Sequence, residues 1–213
     1  MFYMSMLIEC GIRVRILSNK GNSVKTLMSL VGRFFFWVTG WNFEPLPSYF
    51  ASKHVIIGFP HTCIMDTVRA FIGFRIAGLI GHIMIKKQAF IWPMSWVLTF
   101  IGGIPVDRKA STGMVGQMVD IFAQRDAFYL AVVPEGTRSQ VHTIKTGFWY
   151  IAKAADVSIV CWYLDNANKT TRWLGEFKPG DNLKEDLLAI HRLYAEAGYS
   201  FSLDVEALDK EDA

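Results

Sequence analysis

The amino-acid sequence predicts a layered α/β domain: a largely parallel or mixed sheet flanked by helices, with an amphipathic helix near the N-terminus. Three observations carry this expectation. Short apolar runs rich in Val and Ile alternate along the chain with longer stretches of helical periodicity, the pattern of β-α-β units. Several of these runs end on Pro or Gly followed by polar residues, as strands that deliver loops to one sheet edge do. The chain has 213 residues, 52% hydrophobic and 19% charged, with a mean hydropathy of +0.25. That is enough apolar material to cover both faces of a sheet within one domain. It excludes disorder, collagen and coiled coil, and no internal repeat is present.

The elements follow in order. A helix is expected over residues 24–41, with Asn22 and Ser23 as caps and Gly40 as its stop. Leu27, Leu30, Val31, Phe34, Phe35 and Val38 share a face, Trp37 and Trp41 close it, and Lys25 and Arg33 flank it. Arg33 interrupts an apolar core too short to span a bilayer, so the helix suits the membrane interface or packs on the domain. The chain is accordingly divided into an interface region, 1–41, and a folded body, 42–213. Residues 41–53, with Pro45 and Pro47, read as a linker.

Strands are then expected at 54–59, 81–85, 104–106, 128–133, 158–164 and 173–177. Helices are expected at 67–80, 92–100, 112–124, 146–155 and 183–197. The longest uncharged stretch, 88–106, is 19 residues long. Pro93, Pro105 and the Gly102-Gly103 pair inside it argue for a buried helix, a turn and a strand, not a span. The first ten residues carry no cleavable signal pattern.

Charge is unevenly spread. Residues 1–180 hold 19 Lys/Arg against 10 Asp/Glu, and residues 181–213 hold 3 against 9. A cationic, apolar body suits a partner bearing phosphate. The basic residues are not gathered on one helix and no recognition motif appears, so nucleic acid is not expected. Cys10, Cys63 and Cys161 are scattered, with neither disulfide nor zinc spacing. A reducing compartment and no metal are expected.

In parallel sheets chemistry collects just after the strands, and three such segments carry reactive residues. In the first, His61 precedes Asp66 by five residues. Imidazole is the general base suited to neutral pH, and a carboxylate on its second nitrogen would orient it. Within one helix the pair would sit about 140° apart. They meet only if His61 lies in the turn before a helix and Asp66 in its first turn. The second segment is Gly103-Ile104-Pro105-Val106-Asp107-Arg108-Lys109. The third is Pro134-Glu135-Gly136-Thr137-Arg138-Ser139, with Lys145 beyond it. Gly136 permits a tight turn, Thr137 offers a hydroxyl, and Arg138 and Arg108 present guanidinium forks suited to phosphate.

Taken together, His61-x-x-x-x-Asp66, the 103–108 block and the 134–139 block resemble the glycerolipid acyltransferase superfamily, the lysophosphatidic acid acyltransferases and their relatives. The resemblance covers roughly residues 50–165 and is greatest to short members that consist of little more than a catalytic domain, here 42–213. Two departures stand out. Residues 157–161 lack the prolines usual in the family's fourth block, and Cys63-Ile64-Met65 replaces the usual small polar and aromatic residues of the first.

The resemblance implies transfer of a fatty acyl group from a thioester to a hydroxyl of a lysophospholipid such as 1-acyl-glycerol 3-phosphate, in phospholipid biosynthesis. His61 would be the base and Asp66 its orienter. Arg108 and Arg138, with Lys145, would hold the acceptor phosphate, while Glu135, Gly136 and Thr137 would position the acceptor. Acyl-CoA or acyl carrier protein would be the donor substrate, with no cofactor. The enzyme would sit on the cytoplasmic face of the membrane, peripheral or monotopic. Glycerol 3-phosphate or a phosphate-free lysolipid are alternative acceptors. A non-catalytic lipid-binding, membrane-tethering module is the alternative outside enzymes.

Overall fold

A computed structural model describes residues 23–59, 64–135, 144–201 and 203. A seven-stranded sheet forms the centre, in the order β1-β7-β6-β2-β5-β3-β4. The strands are β1 (Asn42–Phe43), β2 (Lys53–Phe59), β3 (Gly81–Lys86), β4 (Gly103–Val106), β5 (Phe128–Val132), β6 (Ser158–Asp165) and β7 (Thr170–Phe177). Every pairing is parallel except β6 with β7. Six helices flank the sheet: α1 (Ser23–Thr39), α2 (Ile64–Ile76), α3 (Met94–Phe100), α4 (Gly113–Gln124), α5 (Gly147–Ala154) and α6 (Leu183–Glu196).

Handedness distributes these helices. The chain passes from β2 through α2 to β3, and through α3 to β4, moving outward along the sheet. It then returns through α4 to β5 and through α5 to β6. Right-handed crossovers moving in opposite directions place their helices on opposite faces. Two separate cores result. One packs α4, α5 and α6 side chains such as Met118, Phe148 and Leu187 beneath Val55, Ile57 and Phe59. The other packs Phe36, Trp41 and Phe74 from the α1–α2 side onto Ile56, Val160 and Trp162. The alternation along β2 is the two-residue period of a strand covered on both faces. Tyr194 of α6 is fully buried, and its hydroxyl reaches the carbonyls of Ile57 and Trp162 at 3.0 Å each.

The fit is tight around β3. A Cβ on Gly102, whose φ is +88°, would lie 2.4 Å from the Gly81 carbonyl. Only glycine enters β4 there without displacing backbone.

Two sequence expectations change. Residues 42–43, read as part of a linker, form β1 against β7; two residues carry too little pattern to reveal a strand. The helix within the uncharged stretch is not buried, and Trp92 and Trp96 are 89% and 78% exposed. For α1 the sequence left its apolar face to the membrane interface or to the domain, and another side of the helix packs. Gly32 and Phe36 face inward, and a Cβ on Gly32 would lie 3.0 Å from Ile72 and Ile76. Leu27, Leu30, Val31, Phe34 and Val38 of the expected apolar face are exposed. The helix thus docks through a narrow seam and leaves its greasy side outward. Among the described residues no helix is long and apolar enough to cross a membrane.

Candidate active site

The carboxyl ends of β2, β5, β3 and β4 open on one edge of the sheet. β2 and β5 are neighbours, yet their following helices leave to opposite faces. A crevice therefore opens between them, the position where ligands enter open α/β sheets. The segments carrying His61 and Glu135 follow these two strands.

Asp66 lies in the first turn of α2, as the spacing required. Its side chain is buried, at 3% exposure, and Oδ1 accepts a hydrogen bond from Arg69 Nη1 at 3.0 Å. The Arg69 guanidinium in turn sits 4.5 Å from the centre of the Trp41 ring. A charged group so deep is tolerable only when paired. Its position also sets it among the free N–H groups of the helix start, which favour an anion.

Across the crevice, Glu135 Oε1 accepts a hydrogen bond from the Tyr199 hydroxyl at 2.6 Å. Burial, then this carboxylate, push the Tyr199 phenol above its ordinary range, so Tyr199 is the donor at neutral pH. The Lys145 N–H reaches the Pro134 carbonyl at 2.9 Å. Lys145 thus stands beside Pro134 at this edge, with its side chain exposed.

Arg108 is exposed just beyond β4. Two strand spacings separate β4 from β5, about 10 Å, so Arg108 stands to one side of the crevice. The turn that carries it is pinned. Gln117 accepts the Asp107 N–H at 3.0 Å and donates to the Asp107 carbonyl at 2.8 Å. His61, Gly136, Thr137 and Arg138 lie outside the described residues.

Below Asp66, between α2 and the sheet, is an apolar cavity of about 280 Å³. Phe71, Phe74, Ile83 and Trp162 supply walls, while Gly58 and Ala131 leave the space open. Asp66 and Thr67 are its polar lining residues. The free thiol of Cys161 is buried in β6 and pushed up to about 12 by that burial, which makes it inert as a nucleophile.

Sequence reasoning missed Arg69, Tyr199 and the cavity. Arg69 stands three residues after Asp66, a spacing at which helical side chains meet, so that signal was present. Tyr199 is 64 residues from Glu135, and no local pattern joins them.

Comparison with known proteins gives three findings. No curated protein matches the chain. Among solved structures it is similar to the 1-acyl-sn-glycerophosphate (LPA) acyltransferase PlsC from Thermotoga maritima. The TM-score is 0.59 at 14% identity, over 92% of this chain and 88% of that one, which is a likeness of fold. A family model described as Acyltransferase matches residues 33–165. That span holds all three sequence blocks and well over half the residues, so the chain belongs to the acyltransferase family.

Proposed function

We propose that this acyltransferase moves a fatty acyl group from an acyl thioester to the hydroxyl of a lysophospholipid such as 1-acyl-glycerol 3-phosphate. The observation that carries the reading is Asp66. It is a buried, paired carboxylate at a sheet crevice and at the rim of an apolar cavity, five residues after the His61 of the family's first block.

In this mechanism His61 accepts the acceptor's hydroxyl proton as that oxygen attacks the thioester carbonyl. The resulting tetrahedral intermediate collapses, the C–S bond breaks, and the departing thiolate takes the proton back from the imidazolium. Asp66 fixes the imidazole tautomer and offsets its transient charge. A thioester is already activated, so deprotonating the alcohol is the main barrier to lower. Glu135, held by Tyr199, positions the acceptor with Gly136 and Thr137. Arg138, Arg108 and Lys145 meet the acceptor phosphate, and a fatty chain takes the apolar cavity. The donor is acyl-CoA or acyl carrier protein.

The work takes place at a membrane surface, with the enzyme peripheral or monotopic on its cytoplasmic face. Among the described residues 17 large apolar side chains are exposed, and 13 of them belong to α1, α2 and residues 91–100. Residues 23–106 contain only two acidic residues, Glu44 and Asp66, and Asp66 is buried. An apolar face whose only exposed acid is Glu44 suits an anionic lipid surface.

The test is purified protein with one acyl-CoA and a panel of lysolipids, with thiol release followed by colour and products by mass spectrometry. Release that depends on a phosphorylated lysolipid supports the reading. Release with glycerol 3-phosphate or a phosphate-free lysolipid alone moves the acceptor, and no release with any of them overturns it.

A further inference from the structure

At the opposite, amino edge of the sheet a second cavity lies where α1, α2 and α3 converge. Its volume is about 340 Å³, and its lining includes Met28, Arg75, His82, Thr99, Phe100 and Arg125. No acidic residue lines it. Among the described residues neither arginine forms an ion pair with a carboxylate; Asp126, beside Arg125 in the chain, is exposed.

Both guanidiniums are held in place. Arg75 lies 5.0 Å from the Phe71 ring and donates through Nη2 to the Phe100 carbonyl at 3.1 Å. Arg125 lies 5.0 Å from the Phe128 ring and meets His82 Nε2 through Nη1 at 3.0 Å. One stacking contact and one hydrogen bond fix each group and leave further N–H donors free, the arrangement that suits planar recognition of an oxyanion. His82 feels both arginines. Burial first, then Arg125 and Arg75, lower it to about 4, so it stays a neutral acceptor toward Arg125.

The surroundings identify the source of the anion. The cavity sits at the margin of the apolar face, bounded by Met28 of α1 and by Phe100, which is 53% exposed. Ile91, Trp92, Met94, Trp96 and Val97 continue that greasy margin toward the other edge. A soluble anion needs only the arginines. A phospholipid headgroup would also place its chains against this margin.

We infer that the Arg75–Arg125 cavity is a non-catalytic seat for the phosphate of an anionic membrane phospholipid, at the edge of the bilayer-facing surface and remote from the acyl-transfer crevice. It goes beyond the proposed reaction, because the seat serves docking and not chemistry. Loss of one arginine at a lipid surface lowers binding about fivefold.

The test uses the full chain and co-sedimentation with vesicles of phosphatidylcholine alone or with phosphatidylglycerol. Arg125→Gln should lower partition onto the anionic vesicles about fivefold, and Arg75→Gln/Arg125→Gln about 25-fold, with partition onto neutral vesicles unchanged. Arg192→Gln, exposed on α6 across the sheet, should change neither. Inorganic phosphate should release the wild type from anionic vesicles at lower ionic strength than sodium chloride does. Should Arg75→Gln impair folding, Arg125→Gln alone decides. Wild-type partition by the arginine variants overturns the proposal, as does phosphate acting only like chloride. If phosphate raises the melting temperature in an Arg125-dependent way while vesicle binding ignores both arginines, the site takes free phosphate and the lipid assignment is wrong. Thiol release in detergent micelles separates this from the proposed reaction: Arg125→Gln should keep wild-type turnover there.

Discussion

Replacing Asp66 by Asn separates the catalytic role proposed for this carboxylate from its structural one. Asn preserves the shape and can still accept from Arg69, but it removes the charge. Breaking a buried ion pair from one side costs about 3–5 kcal/mol when the remaining charge is stranded. Here Arg69 keeps 21% of its surface in water and its contact with Trp41, so the stranded charge is partly relieved and about 1–3 kcal/mol is expected. For a chain of this size that is a melting temperature lower by roughly 2–12 °C. Catalysis should suffer more. A general base that has lost its orienting carboxylate loses most of its contribution of about 10²–10⁴-fold in kcat. Arg69→Gln instead strands the carboxylate, which is 3% exposed, so it should cost more stability, about 3–5 kcal/mol, while lowering kcat less than Asp66→Asn, through the carboxylate's position and not its charge. The assay is thiol release for both variants, His61→Ala and the His61→Ala/Asp66→Asn double, with calorimetry alongside. The double should be little worse than the worse single, because the pair acts as one unit. Asp66→Asn with kcat within a few-fold of wild type, but a lowered melting point, would refute the catalytic assignment.

Other outcomes follow from the same geometry. Ala131→Leu fills the cavity under α2 and should reduce kcat/KM for long acyl chains at least tenfold more than for short ones, read from a chain-length series. Tyr199→Phe removes the 2.6 Å bond to Glu135, worth about 1.5–3 kcal/mol for a charged acceptor and less where water reaches it; KM for the acceptor should rise about tenfold with donor KM unchanged. His82 is lowered from 6.5 to about 4 in the fold, so between those pH values the unfolded chain binds a proton that the native state refuses. Stability should therefore fall as pH drops from about 6.5 toward 4, and denaturant midpoints for His82→Gln should show a shallower slope. Trp41→Leu removes the ring beneath Arg69 and should cost about 3 kcal/mol or more in urea unfolding as a large buried aromatic.

How much of this was legible in the sequence depended on the range of the signal. β2 and β6 read clearly because strands covered on both faces are nearly continuous runs of Val, Ile and aromatics. That Asp66 must stand in a helix's first turn to meet His61 followed from angular arithmetic, although the expected helix began at 67. The side of α1 that packs did not. Counting large apolar residues selects Leu27, Leu30, Val31, Phe34 and Val38, but close approach to α2 is made by Gly32, whose missing side chain admits Ile72 and Ile76. Hydrophobicity names a face; it does not say whether protein or lipid covers it. The uncharged stretch misled for the same reason. Trp92 and Trp96 look like core residues by composition, and only the register of the β3–α3–β4 crossover turns them outward. Tyr199 meets Glu135 across the whole C-terminal half of the fold, a contact that depends on α6 returning beneath β2 and β6 and on no pattern near either residue.

That return explains why the site has supports outside its own motifs. The three sequence blocks deliver residues to one sheet edge, but a strand end followed by a loop does not by itself fix a carboxylate. Asp66 is fixed by Arg69, and Arg69 by Trp41, which lies just past the end of α1 and is itself buried against Phe36 and its neighbours. Glu135 is fixed by Tyr199, which follows α6. One carboxylate is therefore steadied from the N-terminal helix and the other from the C-terminal segment, on opposite sides of the β2–β5 crevice. Substitutions far from the reacting atoms, at either end of the chain, should then reach the chemistry through carboxylate geometry. A displacement of about 1 Å in a positioned catalytic group is enough to cost about 100-fold in rate. The exposed side of α1 lies on the same helix that carries Phe36 to this layer. Whatever surface that helix rests on is mechanically continuous, through Trp41 and Arg69, with Asp66.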